Sequence, residues 1–177
     1  IAEPAMMLAI FTLAILARST NLSEIVLASQ GSGWLHLDPV RMLAFAAMFI
    51  VLLAETGRIP VDNPATHLEL TMIHEAMLLE YSGRHLALME WGASIKQLVL
   101  MTLLANIFFP FGLAAAATPA AIGLGVLWLG GKLLVLAGAV VLVETTNAKL
   151  RLFRVPDLLG TAFTLATLAL VSTFLFR

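Results

Sequence analysis

The sequence contains no cysteine and few charged residues. Of its 177 residues, 12% are charged and 60% are hydrophobic, whereas about 25% of residues are charged in a typical soluble domain. The mean hydropathy is +0.98, so the apolar side chains could not all be kept away from an aqueous surface. The lack of cysteine excludes disulfides, zinc–thiolate sites and cysteine-ligated iron–sulfur clusters in this chain. These shortages indicate an integral membrane protein whose redox metals, if it serves any, belong to partner chains.

Several function classes lack the motifs they require. A formal net charge of -1 offers no basic field for nucleic acid. The sequence contains no phosphate-binding loop, dinucleotide fingerprint or nucleophile elbow. His67, His74 and Glu75 match no metal-ligand template, because the two histidines are seven residues apart without an HExxH arrangement. We therefore predict no catalytic residue and no metal site in this chain.

Stretches without charged residues predict about five transmembrane helices. They are placed at 4–17, 42–54, about 86–110, about 119–143 and 158–176. Asp38-Pro39, Thr118-Pro119 and Pro156 are typical of helix starts. The predicted fold is an all-α, polytopic membrane helix bundle that forms a single domain over 1–177, with a polar cytoplasmic helical loop at 55–90.

That loop is strongly acidic. It carries six of the eleven acids of the chain: Glu55, Asp62, Glu69, Glu75, Glu80 and Glu90. Asn63-Pro64 predicts a helix over about 65–82 that ends at Gly83, with Glu69 and Glu80 on one face. Closely spaced acids beside apolar residues are typical of proton paths, whereas a solvated loop is the plainer interpretation. The interleaved apolar residues of the loop favour partial burial.

The loop charges predict the orientation of the bundle. With five alternating spans, one side receives Arg58, Arg84, Lys149, Arg151 and Arg154, and the other receives Arg18, Arg41 and Arg177. Because cytoplasmic loops carry an excess of Lys and Arg, the first side is predicted to be cytoplasmic. Lys149, Arg151 and Arg154 lie together before the last span. They are predicted to dock a soluble partner or anionic lipid, or simply to anchor the topology.

Charges within spans are costly and usually face a protein interior or water. Lys132, near the middle of the fourth span, is either part of an ion path or paired with an acid on another helix. Glu144 lies near the end of that helix, about 120° around it from Lys132. Lys96 lies near the start of its span, where a lysine can reach the interface. Both Lys132 and Glu144 are assigned to a coupling path on the expectation of burial.

A turn is predicted directly after the second span. Pro60 resists a regular helix between Arg58 and Asp62. We therefore predict a rigid turn in which Arg58 contacts one of the nearby acids.

The same stretch carries a family resemblance. The segment Ala54-Glu55-Thr56-Gly57-Arg58-Ile59-Pro60-Val61-Asp62 resembles the A-E-T-x-R-x-P-x-D signature of the subunit 1 family of respiratory complex I. Three further elements follow in order and resemble that family: Glu80-Tyr81-Ser82-Gly83, Met89-Glu90-Trp91, and the basic loop from Ala148 to Arg154. Together they cover most of the chain, and the family pattern of eight spans implies that this chain corresponds to the last five.

One departure favours a particular branch. The complex I branch usually reads E-G-E-S-E-L after its signature, whereas 65–70 here reads Ala-Thr-His-Leu-Glu-Leu. The run from Asn63 to Glu75 is similar instead to the hydrogenase branch, which includes formate hydrogenlyase and hydrogenase-4. This difference weakens the transfer of a quinone site to this chain.

The resemblance implies a membrane anchor and coupling subunit of an energy-converting NiFe hydrogenase. Its expected partners are the soluble hydrogenase large and small subunits, which hold the NiFe centre and iron–sulfur clusters, and antiporter-like membrane subunits. Its expected location is the cytoplasmic membrane of a prokaryote, with proton or sodium translocation as the coupled process. The resemblance assigns a coupling path to Glu55, Glu69, Glu80 and Glu90. A quinone-chamber subunit of complex I and an independent secondary transporter are the alternatives.

Overall fold

The computed structural model describes residues 2–31, 38–61, 80–114, 118–148, 150 and 154–175, and within these ranges the chain is helical and contains no strand. The helices are α1 (Ala2–Ala17), α2 (Leu22–Gly31), α3 (Pro39–Glu55), α4 (Arg84–Phe108), α5 (Pro119–Thr146) and α6 (Val155–Leu175). The predicted all-α membrane bundle is confirmed.

Three helices in the described part of the chain are long and apolar enough to cross a membrane, namely α4, α5 and α6. Helix α1 and most of α2 meet the same criteria only as a pair, and they are bent by 61° relative to each other. Helix α3 has 17 residues, which gives a length of about 25 Å against a hydrocarbon core of about 30 Å. The number of five spans therefore stays a prediction.

The predicted helix starts are confirmed at two positions. Asp38 caps α3, because its carboxylate accepts a hydrogen bond from the Val40 N–H at 3.2 Å and Pro39 is the first helical residue. Thr118 caps α5 in the same way, since its hydroxyl oxygen accepts a hydrogen bond from the Ala121 N–H at 3.3 Å. Each cap satisfies an amide at the helix start that has no partner within the helix.

Small residues bring α1, α3 and α6 together. These three helices pack against one another most extensively, and the alanines between them are at most 1% exposed: Ala5, Ala9, Ala44, Ala47, Ala162, Ala166 and Ala169. In α1 the alanines are four residues apart, and in α6 they are four and three apart, so each set forms one stripe along its helix. Such stripes allow membrane helices to approach closely without large side chains between them.

The other helices lie beside this three-helix core. Helix α4 contacts α2, α3 and α5, and the residues it buries are Met101, Leu104, Ala105 and Ile107, all in its second half. Its first half is exposed along 84–96 except for the half-buried Leu86. Helix α5 buries one face, formed by Lys132, Leu136 and Val140 at intervals of four residues. Helix α4 therefore packs against its neighbours through its second half, while its first half is left largely exposed.

Two sequence expectations need correction. Helix α2 is absent from the predicted set, although Asn21 is a recognisable start signal and its side-chain oxygen accepts a hydrogen bond from the Ser23 N–H at 3.0 Å. The helix expected at about 65–82 lies mostly outside the described residues, but Glu80 is in a turn and not on a helical face. Gly83 has φ 58° and ψ -129° and precedes α4. A positive φ is favourable for glycine. Gly83 is therefore the residue that caps the start of α4, and the described residues 80–82 before it are not helical.

Candidate functional site

The end of α3 positions the first part of the candidate site. After Glu55, Gly57 adopts φ 61°. The Gly57 N–H donates to the Ala54 carbonyl at 3.3 Å, and the Arg58 N–H donates to the Leu53 carbonyl at 3.0 Å. This pair of hydrogen bonds is the Schellman arrangement that ends a helix and satisfies its last carbonyl groups. It turns the chain sharply, so that Glu55 and Arg58 both project from one end of the bundle.

The turn continues through Pro60 and is fastened to the segment before α6. The Val61 N–H donates to the Arg58 carbonyl at 2.8 Å, and the Leu150 N–H donates to the Pro60 carbonyl at 2.9 Å. The Ile59–Pro60 peptide bond is cis. Asp62, the third residue expected in this turn, lies outside the described residues. The first hydrogen bond closes the turn itself, and the second ties the turn to the segment before α6. Together they fix the backbone position of Arg58.

Two neighbouring residues of α4 meet this turn. The Lys96 ammonium lies 2.6 Å from the Glu55 carboxylate. The Arg58 guanidinium donates to the Gln97 amide oxygen at 2.8 Å and lies 3.6 Å from the Glu144 carboxylate of α5. We call the five residues Glu55, Arg58, Lys96, Gln97 and Glu144 the charged layer. It joins the end of α3, the middle of α4 and the end of α5 through polar contacts.

The charged layer is neither sealed nor fully solvated. The side chains of Glu55 and Glu144 are 23% and 21% exposed, while those of Arg58 and Lys96 are 35% and 49% exposed. Because these side chains are only partly buried, the two ion pairs add little to stability on their own. The negative charges of Glu55 and Glu144 are balanced by the neighbouring Lys96 and Arg58.

The other residues assigned to the coupling path lie apart from this layer. Glu90 is exposed on the first half of α4, about 9 Å along the helix axis from Lys96. Glu80 is exposed in the turn before α4, and Glu69 lies outside the described residues. The structure thus brings Glu55 and Glu144 into one layer and places Glu80 and Glu90 outside it.

Lys132 is farther away on the same helix as Glu144. The helical rise separates the two residues by about 18 Å along α5, and Glu144 is paired with Arg58. Leu136 and Val140 occupy the buried face between them. Direct pairing of Lys132 with Glu144 is therefore excluded in this structure.

The basic loop is only partly described. Lys149 and Arg151 lie outside the described residues, while Arg154 is exposed immediately before α6. Its docking role stays a prediction.

An open apolar groove of about 630 Å³ lies between α2 and α4. Its lining includes Leu22, Val26, Leu98, Thr102 and Asn106, and none of its lining side chains is titratable. No group of three or more His, Asp or Glu side chains converges in the described ranges. In the described ranges, the charged layer is where ion pairs join three helices, and it is our candidate site.

Comparisons with known proteins identify the family. A sequence profile described as NADH dehydrogenase matches residues 1–175. The chain is 32% identical over 169 residues to hydrogenase-4 component C of Escherichia coli K12, and 32% identical over 170 residues to formate hydrogenlyase subunit 4 of the same organism. It is 29% identical over 153 residues to an NADH-quinone oxidoreductase subunit of Deinococcus deserti.

The chain belongs to the NADH dehydrogenase family. The two Escherichia coli matches cover 96% of this chain and 52% and 54% of those relatives, and the Deinococcus match covers 84% of this chain and 38% of that relative. The chain thus spans about half the length of the two hydrogenase-type relatives. The predicted membership of the complex I subunit 1 family, with similarity to its hydrogenase branch, is confirmed. The names of these relatives describe them as a component or a subunit.

The sequence alone does not point to two residues of the charged layer, Lys96 and Gln97. Lys96 reads in the sequence as a lysine near the start of a span, and its partner Glu55 is 41 residues away. Gln97 carries no charge and gives no signal of its own. Polar residues interrupt an apolar helix at 96–97, and this interruption is the signal that could have marked both.

Proposed function

We propose that this chain is a membrane subunit of an energy-converting hydrogenase complex, where it anchors a soluble NiFe hydrogenase module and takes part in proton or sodium translocation. The similarity to hydrogenase-4 component C and formate hydrogenlyase subunit 4 supports the type of complex. The NiFe centre and the iron–sulfur clusters belong to the soluble subunits in this proposal. The cytoplasmic membrane of a prokaryote is the proposed location, and antiporter-like subunits are the proposed membrane neighbours.

The observation that carries the coupling role is the charged layer. Two carboxylates, Glu55 and Glu144, are each paired with a cation at one end of the bundle, and both side chains are only partly buried. A change in the position of α4 would alter the Lys96–Glu55 pair and the Arg58–Gln97 hydrogen bond together, since Lys96 and Gln97 are adjacent on that helix. Electron transfer in a docked module could therefore be communicated to the membrane bundle as a change in which carboxylates hold protons.

The test measures hydrogen evolution and ion translocation in the same membrane vesicles. Glu55→Gln keeps the size and polarity of the side chain but removes its charge and its ability to release a proton. We expect this variant to assemble and evolve hydrogen while ion translocation per hydrogen falls severalfold. A translocation ratio equal to wild type in an assembled complex would show that Glu55 has no coupling role.

A charge exchange separates coupling from assembly. The double variant Glu55→Lys with Lys96→Glu restores an ion pair across α3 and α4 but moves the carboxylate to the other helix. If the pair serves assembly alone, the double variant should assemble and translocate ions like wild type. We expect it to assemble without translocation, because the proton-binding carboxylate no longer lies at the end of α3.

A second candidate function is a quinone-chamber subunit of a respiratory complex I, which the match to an NADH-quinone oxidoreductase subunit favours. Purification of the full-length protein with its associated chains distinguishes the two. Hydrogenase large and small subunits should accompany it under the first proposal, and an NADH-oxidising module under the second.

A further inference from the structure

Lys132 is a buried cation in the middle of a membrane helix. It lies near the midpoint of α5 and is 7% exposed. Leu136 and Val140 follow on the same buried face. A charge in this position is costly unless the surroundings stabilise it, so the groups around Lys132 indicate what it does.

No acid in the described part of the chain lies within ion-pair distance of Lys132, and the nearest acid on its own helix, Glu144, is paired with Arg58. Among the residues that the structure describes, Lys132 has an aromatic ring as its partner: its ammonium group lies 4.8 Å from the centroid of the Phe111 ring. This distance is within the range of a cation–π interaction. A phenyl ring attracts a positive charge but cannot accept its proton.

The position of Phe111 is fixed by its neighbours. Its ring meets the Trp128 ring edge to face at 5.7 Å and the Phe109 ring at 6.3 Å. The next residue, Gly112, has φ 73°, and a Cβ atom there would overlap Trp128 Cγ. The chain can pass this close to Trp128 only because residue 112 has no side chain. The segment after α4 is therefore held against α5, with Phe111 over Lys132.

The end of α4 lies at the same depth as Lys132. Arg58 contacts both Gln97 and Glu144, so these two residues lie at about the same level along the axis of the bundle. The helical rise then places Phe108, the last residue of α4, about 16 Å from that level, and Lys132 about 18 Å from it in the same direction. The C-terminal end of a helix carries a partial negative charge. This end favours the ammonium of Lys132 without providing a carboxylate that could take its proton.

The space between Lys132 and the charged layer is apolar. Leu136 and Val140 of α5 pack in one core cluster with Met101 and Leu104 of α4. These four side chains are at most 6% exposed. A proton leaving the charged layer along this route would enter a dry section and then approach a fixed positive charge.

We propose that Lys132 is a fixed positive charge that stops protons and metal cations from leaking across the bundle along the α4/α5 interface, and that it does not itself carry protons. A positive charge in a medium of low dielectric constant repels cations strongly, and fixed cations exclude protons from membrane pores in this way. The inference deepens the proposed function and rests on it, because an ion-translocating complex must not leak when it is idle.

The test measures passive proton permeability in liposomes that contain the complex with the full-length protein. An imposed potassium diffusion potential drives proton entry, and an internal pH dye reports it without any electron donor. Lys132→Met removes the charge at similar length, and we expect it to raise permeability severalfold. Lys132→Arg keeps the positive charge and can still stack on Phe111, so we expect permeability and hydrogen-driven translocation equal to wild type. Leu134→Met, two residues away on the exposed face, is the matched control.

Each other outcome overturns the proposal. Liposomes with Lys132→Met that are as tight as wild type would show that the charge is no barrier. A leak in Lys132→Arg equal to that in Lys132→Met would show that shape matters and charge does not. Loss of translocation in a tight Lys132→Arg complex that still evolves hydrogen would show that Lys132 carries protons. Lys132→Gln replaces Lys132→Met if the latter does not co-purify with its partners. Because the permeability assay needs no turnover, its result stands even if hydrogen-driven translocation is absent from the wild type.

Discussion

At the residue scale, Arg58 shows how one side chain can define a site. Its guanidinium group reaches Gln97 on α4 and Glu144 on α5 at the same time. The sequence predicts that Arg58 contacts a nearby acid, but Glu144 is 86 residues away. Tertiary packing of the end of α3 against α4 and α5 brings Arg58 and Glu144 together. Local spacing could therefore predict that Arg58 would be fixed in a turn, whereas its partners depended on tertiary structure.

Arg58→Lys tests whether the two contacts are needed together. An ammonium group is a compact charge and cannot reproduce the planar guanidinium group, which contacts α4 and α5 at the same time. We expect this variant to retain net charge but to lose part of its assembly or its coupling. The measurement is the yield of co-purified complex together with the ratio of translocated ions to hydrogen evolved.

The matched control for this change is Arg84→Lys. Arg84 is exposed at the start of α4, so the same chemical change there should have no effect. Equal behaviour of the two variants and the wild type would show that the Arg58 contacts carry no function.

Gly112 provides a second test at this scale. Alanine there would combine a positive φ, which is unfavourable for any residue with a Cβ atom, with an overlap of that Cβ with Trp128. We expect Gly112→Ala to lower stability by about 2 kcal/mol or more. The expected result is a lower midpoint of thermal unfolding in detergent.

Gly125→Ala is the control for Gly112→Ala. A Cβ atom at Gly125 would lie 3.5 Å from Ala114, which is ordinary van der Waals contact, and alanine favours a helix over glycine by about 1 kcal/mol. We therefore expect Gly125→Ala to retain or slightly raise the midpoint. A fall of similar size in both variants would contradict the assignment of strain to residue 112.

At the element scale, the sequence predicts most of the helices because their signals are local. Asp38-Pro39 and Thr118-Pro119 each place a capping oxygen before a proline, and both helices begin there. Helix α2 has a start signal at Asn21, but its ten residues include Glu24 and are too few to form a long uncharged stretch. Its packing against α1 and α4 depends on tertiary contacts that no local pattern contains.

The alanine stripes of α1, α3 and α6 make a prediction about helix packing. Ala166 is fully buried, so Ala166→Leu would add three carbon atoms where the helices are in close contact. We expect a loss of about 1–3 kcal/mol, seen as a lower thermal midpoint and more aggregation after extraction in detergent. Ala120→Leu, at an exposed position of α5, makes the same change without a neighbouring helix and should leave both readouts unchanged. Equal stability of the two variants would show that the α1/α3/α6 interface tolerates larger residues.

At the scale of the whole molecule, the sequence predicts which charges share an end of the bundle but not how they are arranged. Arg58, Arg84 and Arg154 follow or precede helix ends on one side, and Arg18 and Arg41 lie at the opposite ends of α1 and α3. This separation follows from the alternation of helices along the chain. The depth of Lys132 relative to the charged layer could not be predicted in the same way, since it requires knowing that α4 ends partway along α5.

The orientation of the bundle follows from the same charges and can be measured directly. Because cytoplasmic loops retain Lys and Arg, we expect the charged layer to face the cytoplasm and Asn21 to face the opposite side. This chain contains no cysteine, so a single introduced cysteine reports its own exposure. A membrane-impermeant maleimide should label Asn21→Cys in intact spheroplasts and Ala148→Cys only after the membrane is opened. Both residues are exposed in the structure, which makes the pair a matched test. The reverse labelling pattern would place Glu55 and Glu144 on the outer side, where a docked cytoplasmic hydrogenase module could not act on them.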